Sequence, residues 1–389
     1  MVDASIFLWV ALILISTKFM SLLFKRVHMP QMVGALLAGI LLGPAVLGWA
    51  SPNEAISVLA EFGVILLLFT AGMETDLKEL KNSVKSSFFI SIVGAATAIG
   101  AGFAVSAAFG MSALESFFIG VAIAATSTTI TVEALHEMGK LKSKTGSIAI
   151  GASIFDDIMI IVLLAVLAGL GTDGETISAL SIATIFARIV AFFIFAILTG
   201  YVINKIFNWM YSRIGEKGRF SIFAIAYCFL MAYLAEMFGL ANITGAYIAG
   251  IAFCTTRNVE SLETNTHTLS YMLFTPIFLA NIGLNTSFEA MNANIVIFTV
   301  ALVAVTILSK IVGCGLVAKL SKYSTRESLQ IGIGMIARGE VSLVVINKGI
   351  ALGLMSALVF PSVIVVVFVS VMVMPILLKL SFKGEGIQT

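Results

Sequence analysis

Two adjacent carboxylates stand in the middle of an apolar run. Asp156 and Asp157 lie within Ile150-Gly-Ala-Ser-Ile-Phe-Asp-Asp-Ile-Met-Ile-Ile. One ionised, unpaired carboxylate at bilayer depth costs several kcal/mol. Two neighbours are worse, because each opposes ionisation of the other. Such a pair needs water, a proton, a cation or a basic partner, and it titrates as a coupled unit. Helix neighbours point about 100° apart, so both cannot face one small site equally. A division of labour follows: one carboxylate faces a pathway and the other meets a buried base. Lys310, in Thr306-Ile-Leu-Ser-Lys-Ile-Val-Gly, is the candidate base, and nothing near it in sequence neutralises it. A purely structural bridge would use the same two residues.

A second polar concentration lies in Ala124-Ala-Thr-Ser-Thr-Thr-Ile-Thr-Val-Glu. Thr126, Ser127, Thr128, Thr129 and Thr131 crowd hydroxyls and β-branched carbons into one short stretch, which weakens a helix. Moving 211 residues along the chain reaches Met335-Ile-Ala-Arg-Gly-Glu-Val, where Arg338 and Glu340 are as misplaced in lipid as the aspartates. Two polar interruptions at corresponding places predict unwound, crossed helices around a midplane site. Arg338 and Glu340 can neutralise the half-helix ends. The hydroxyls and carbonyls of the first interruption, with Ser153 as a further hydroxyl, offer hard oxygen ligands to a small cation. Ordinary helix-to-helix bonding by Ser and Thr, and a structural Arg338–Glu340 pair, are the plainer alternatives. Cys228, Cys254 and Cys314 have no pairing or metal-type spacing and are read as buried thiols. His28, His136 and His267 all fall near the ends of apolar runs and are read as solvated. Glu61, Glu133 and Glu236 are read as structural, with Glu133 able to line an inner funnel.

The elements that must position these groups follow from composition. Of 389 residues, 59% are apolar and 11% charged, with a net charge of +2, and the mean hydropathy is +1.08. This excludes a soluble enzyme, a disordered chain and a nucleic-acid binder. About 20 apolar residues cross a bilayer as helix. Thirteen such segments are predicted: 5–24, 31–48, 56–73, 85–109, 114–135, 144–169, 177–207, 219–237, 242–256, 268–285, 293–318, 328–348 and 355–379. The runs are too long and too continuous for barrel strands. The first lacks a preceding basic region and a small-residue cleavage site, and is read as a retained span. If the loop holding Lys25 and Arg26 is inside, 18 of the 23 Lys and Arg residues fall on that side. This predicts an outer N-terminus and an inner C-terminus. Lys18, Arg188, Lys310 and Arg338 remain within spans, Lys18 near enough to an end to snorkel.

An internal repeat is also visible. Gly34-Ala35 and Ala38-Gly39-Ile40 recur as Gly245-Ala246 and Ala249-Gly250-Ile251, while Leu68, Gly72 and Thr75 match Leu279, Gly283 and Thr286, all at an offset of 211. The repeated spans are seven apart and so cross in opposite directions. The expected fold is an all-α polytopic membrane protein of two inverted six-helix repeats, 5–170 and 219–379, joined by a linking span at 177–207.

The Thr126–Thr129 run, Asp156-Asp157, Lys310 and Ala337-Arg-Gly-Glu-Val occur in this order, and on them the chain resembles the cation:proton antiporter-2 family, in particular its bacterial NapA-like sodium/proton antiporters. The resemblance covers nearly the whole chain. It implies one thirteen-helix transporter, not an enzyme and without a cofactor, as a homodimer in the lipid of the cell's inner membrane. A core (85–169 and 293–379) would move elevator-fashion against a dimerisation scaffold (5–73 and 177–285). Carried over by position, Asp157 would be the principal Na+ (or Li+) and proton carrier and Asp156 would pair with Lys310. Ser127 and Thr128 would flank the crossover, Thr126, Thr129 and Ser153 would be further ligands, and Arg338 and Glu340 would balance its charges. Similar potassium-efflux members replace the first aspartate and append a nucleotide-binding domain. This sequence keeps both aspartates and ends soon after the last span, so Na+/H+ exchange is favoured over K+/H+ exchange. A sodium-coupled symporter and a channel stay as alternatives. An intramembrane aspartyl protease does not fit, because it needs its two carboxylates on different helices.

Overall fold

The computed structural model describes residues 5–26, 29–170, 179–214, 220–256, 259–285, 293–351 and 353–383. His28, Lys217, Arg219, Arg257, Thr286 and the side chain of Glu340 lie outside the described residues. All regular structure among the described residues is helical. In chain order the helices are α1 (Ser5–Arg26), α2 (Gln31–Leu42), α3 (Glu54–Met73), α4 (Leu77–Ala108), α5 (Ala113–Ala124), α6 (Thr128–Glu137), α7 (Lys144–Leu170) and α8 (Ala179–Ile214). They continue as α9 (Ser221–Met237), α10 (Asn242–Phe253), α11 (Val259–Leu269), α12 (Thr275–Leu284), α13 (Ala293–Leu320), α14 (Thr325–Gly334), α15 (Glu340–Ala351) and α16 (Phe360–Phe382). Each predicted apolar segment carries a helix or a helix pair. A π-helical turn, Ser270–Phe274, joins α11 to α12 into one rod. Among the described residues, eight helical segments are long and apolar enough to cross a membrane, with α5 and α6 counted together.

Local signals set several ends. The Asp76 side chain accepts from Lys78 N and Glu79 N and starts α4 eight residues before the predicted segment. Both α5 and α14 begin with a capping box, Ser112 with Glu115 and Ser324 with Glu327, a motif readable as Ser-x-x-Glu. The predicted segment 31–48 is helical only to Leu42, where Gly43 leaves the helix in an extended conformation.

The outer faces of α1, α8 and α13 are apolar: Ile15, Phe19, Ile197, Leu198, Val300 and Val312 are all exposed. Most polar side chains within the long helices point inward instead, as expected where the solvent is hydrocarbon, while Lys18 of α1 and Arg188 of α8 are exposed. Helix α4 lies along α5, α7 and α13, and α13 also packs on α14 and α16. Elsewhere α3 packs on α10 and α12, and α2 on α1 and α12. Helix α6 reaches from α7 to α3 and α2.

Two helix crossings depend on glycine. A Cβ on Gly250 of α10 would collide with the Phe69 carbonyl oxygen of α3, and one on Gly72 with that of Tyr247. In the α2–α12 pair, a Cβ on Gly39 would collide with the Ala280 carbonyl oxygen, and one on Gly283 with that of Leu36. These contacts map onto each other, donor helix and acceptor carbonyl alike, at the 211-residue offset. Small residues let such backbones touch. Gly250→Val is expected to destabilise by about 1–3 kcal/mol through overpacking, read as a lower unfolding temperature of the purified protein. Gly100→Ala is the control: nothing lies within 4 Å of an added Cβ, so no loss is expected.

Candidate functional site

Both predicted interruptions are real breaks in helix. Residues 125–127 separate α5 from α6, and residues 335–339 separate α14 from α15. The two unwound strands are joined directly: Ser127 N donates to the Ala337 carbonyl at 2.8 Å. Thr131 Oγ1 donates to the Gly334 carbonyl at 2.8 Å. Thus a hydroxyl of α6 occupies a carbonyl freed at the end of α14, a need every broken helix creates.

The guanidinium of Arg338, fully buried, serves both C-terminal ends at once. Its Nη1 donates to the Ala125 carbonyl that closes α5 at 3.1 Å and to the Met335 carbonyl that closes α14 at 3.2 Å. Both ends carry negative partial charge, so one cation offsets two half-helix dipoles. Its backbone N–H donates to Ser370 Oγ of α16 at 3.0 Å. Nε and Nη2 have no hydrogen-bond partner among the described residues.

Asp156 is also fully buried. Ser91 Oγ of α4 donates to Oδ1 at 2.6 Å, while Thr126 Oγ1 donates to Oδ2 at 2.7 Å. Lys310 Nζ of α13 reaches Oδ2 at 2.6 Å with neither side chain exposed. Arg338 Nη1 donates to the oxygen of Thr126 at 3.2 Å, so a chain runs from guanidinium through hydroxyl to carboxylate to ammonium. Asp157 turns elsewhere. It is 3% exposed, and Thr128 Oγ1 of the first turn of α6 donates to its Oδ2 at 3.3 Å. A carboxylate at a helix N-terminus meets positive partial charge. The one aspartate is saturated by protein, and the other stands at the mouth of a half-helix.

The remaining predicted ligands divide. Ser127 and Thr129 share a hydrogen bond at 3.0 Å. Ser153 Oγ donates back to the Ala149 carbonyl at 2.9 Å and lies 3.5 Å from Met335 Sδ, so its hydroxyl is taken up within its own helix. Thr126 serves Asp156. Sequence reasoning missed Ser91, although Ser83, Ser87, Ser91 and Gly94 form a small-residue stripe at helical spacing on the buried face of α4. It also misread His136 as solvated. His136 Nε2 lies 3.3 Å from Glu74 Oε1, and His267 stacks on Tyr271 with ring centroids 4.1 Å apart. Cys228 and Cys314 are buried as expected, whereas Cys254 is only half-buried.

One cavity touches the crossing and another lies at the far end of α6. The first, about 350 Å³, is lined by Arg338, Gly339, Glu61, Asn242 and Asn281. The other, about 770 Å³, lies at the end where α1 stops and α2 starts, lined by Lys18, Gln31, Glu133, His136 and Tyr271. Lys18, expected only to snorkel, is part of this wall. Glu74 stands beside it at the end of α3. Burial alone would raise its carboxyl, but the hydrogen bond and charge of His136, with Lys142, hold it below the usual carboxylate value. Neighbouring Glu263 is raised, by burial and by the Glu74 charge. A depressed acid contributes stability above its unfolded pKa and loses it as pH falls through the folded value. Glu74→Gln is therefore expected to lower the unfolding temperature at pH 7, with the gap to the unaltered protein closing in acid. A gap independent of pH would contradict this.

The family model described as "sodium/hydrogen exchanger, transmembrane" matches residues 11–384. The chain belongs to the sodium/hydrogen exchanger family. Within it, the chain is 35% identical over 381 residues to the Na(+)/H(+)-K(+) antiporter GerN of Bacillus cereus, covering 97% of both chains. It is 34% identical over 368 residues to a Na(+)/H(+) antiporter of Enterococcus hirae, covering 95% of this chain and 96% of that one. In fold it resembles the sodium proton antiporter MjNhaP1 of Methanocaldococcus jannaschii, with a TM-score of 0.70 and 17% identity over 97% of this chain and 98% of that one. The expected sodium/proton exchanger family therefore holds. The narrower antiporter-2, NapA-like label is not the one the matched model carries. Members of this family are multi-pass membrane proteins, in keeping with the long apolar helices.

Proposed function

We propose that this protein is a secondary Na+/H+ antiporter, exchanging cytoplasmic Na+ or Li+ for external protons. The observation that carries this is the buried Asp156–Lys310 pair beside Asp157, at the crossing of two broken helices in a chain of the exchanger family. Thirteen spans in two inverted halves are supported by the paired breaks and by the reciprocal glycine crossings. In this reading α4–α7 and α13–α16 form the moving core, and α1–α3 with α8–α12 the scaffold of a homodimer. The N-terminus is outside, and the cavity bearing Glu133 opens to the cytoplasm.

Na+ and protons compete at Asp157, with Thr128 and the crossover oxygens completing a hard ligand set. Arriving Na+ displaces a proton from Asp157 and weakens the Asp156–Lys310 pair, which then releases a second. A loaded core is neutral enough to cross, and an empty one carries uncompensated charge that hydrocarbon resists. That rule couples the two fluxes, and two protons per Na+ make exchange electrogenic. K+/H+ exchange is the second reading, favoured by the name of GerN. Reconstituted exchange with Li+, Na+ and K+ in turn, under a clamped membrane potential, tests both. Na+-driven proton movement with net current supports the proposal, and cation flux without proton counterflow rejects it.

A further inference from the structure

The last turns of α6 carry three ionisable side chains, Glu133, His136 and Glu137. Two have structural partners. Glu137 accepts from the Gln31 N–H and, at 3.1 Å, from the Met32 N–H, so it caps α2 from across the interface. His136 pairs with Glu74. Glu133 differs. It is 5% exposed and lines the larger cavity. Its one hydrogen-bond partner among the described residues is the Tyr271 hydroxyl, which donates to Oε2 at 2.7 Å. His136, one turn on, interacts with it electrostatically, but the ion pair of His136 is with Glu74. A buried carboxylate held by one neutral hydroxyl is costly unless a cation or a proton joins it.

Its position gives that cost a use. Thr128, which touches Asp157, is five residues earlier on α6, about 7.5 Å along the axis. Five residues also turn the helix through about 500°, so Glu133 faces the cavity from the side of α6 roughly opposite Thr128, and the two groups share one short half-helix. Thr17, Ser21, Thr268 and Thr275 share this wall; their hydroxyls bond to Ile13 O, Gln31 O, Thr264 O and Ser270 Oγ, and their hard oxygens keep lone pairs for an alkali cation. Lys18 shares the wall and is exposed. We infer that the Glu133 carboxylate is an entry site for the transported cation, occupied from the larger cavity before Asp157. This rests on the proposed role of Asp157 as carrier.

The test titrates Na+ at one face at a time in proteoliposomes of fixed orientation. Glu133→Gln is expected to raise the apparent KM for Na+ about tenfold at the face served by the larger cavity, equivalent to about 1.4 kcal/mol. The KM at the opposite face and the maximal rate should stay nearly unchanged. Glu133→Asp, which keeps the charge, should recover part of the loss, and it carries the test if the glutamine variant does not fold. Tyr271→Phe removes the bond but keeps the carboxylate, and should be milder than Glu133→Gln. Equal losses in Tyr271→Phe and Glu133→Gln would make Glu133 a structural tie and overturn the inference. So would opposite KM shifts at the two faces, which report a changed conformational bias. A moved pH profile with an unaltered Na+ KM would make it a proton acceptor only, which also overturns it. Normal exchange by Asp157→Asn would sink the underlying reading instead. Loss of exchange there, with Glu133→Gln normal, would sink only the entry site.

Discussion

Asp157→Asn is expected to abolish Na+/H+ exchange while leaving the protein folded. The amide has the shape of the carboxylate and can keep the contact with Thr128 Oγ1. It cannot take up a proton or offset a cation. At an effective dielectric of about 20, a unit charge about 4 Å away contributes about 4 kcal/mol. Removing it lowers site occupancy by about three orders of magnitude. Burying a neutral amide is also cheaper than burying a charge, so the unfolding temperature should not fall. Proteoliposomes under an imposed pH gradient provide the measurement. Persistent Na+-dependent proton movement would remove Asp157 from the centre of the mechanism. The same change at Asp156 acts on a different circuit, because that carboxylate is held by Ser91, Thr126 and Lys310.

Lys310→Ala is expected to have the largest effect on stability. It leaves Asp156 buried with two hydroxyls and no directly paired cation, the Arg338 guanidinium reaching it only through Thr126. Breaking one side of a buried pair costs about 3–5 kcal/mol. Removing both sides with residues of similar volume can be close to neutral, so Asp156→Asn combined with Lys310→Met should regain most of the lost stability. Thermal unfolding of the three purified variants checks this, and a double variant no more stable than Lys310→Ala would refute the unpaired-charge account. Transport should change in a particular way. Lys310 contacts Asp156 and not the Thr128-linked aspartate, so the current per Na+ should fall more than Na+ affinity does. Unchanged electrogenicity in a folded Lys310 variant would take the lysine out of the proton cycle.

The polar residues that matter were legible because hydrocarbon makes them conspicuous. Asp156, Asp157, Lys310 and Arg338 interrupt apolar runs in which each needs a stated partner. The hydroxyl run at 126–131 reads as a weak helix, and it is where α5 gives way to α6. The glycine repeat was legible as a pattern, but its use was not. That Gly39 meets Ala280 while Gly250 meets Phe69 follows from how spans cross. Ser91 and Tyr271 stayed hidden because a serine or tyrosine in a membrane helix is satisfied in many ways, by its own helix among them. His136 was misread because proximity to a helix end says nothing about which neighbouring helix covers it.

The sequence alone therefore determined the helical, membrane-embedded class, the two interruptions and the short set of charged groups that must find partners. Burial in lipid leaves a chain few ways to hold such groups, and linear order is enough to locate them. Tertiary packing decided the pairings: Ser91 with Asp156 across 65 residues, Lys310 with Asp156 across 154, and Arg338 with Ala125 across 213. It also decided that Asp157, rather than its neighbour, faces the start of a half-helix. Those choices depend on the rotation and crossing angle of helices far apart in the chain, which hydropathy and spacing do not encode.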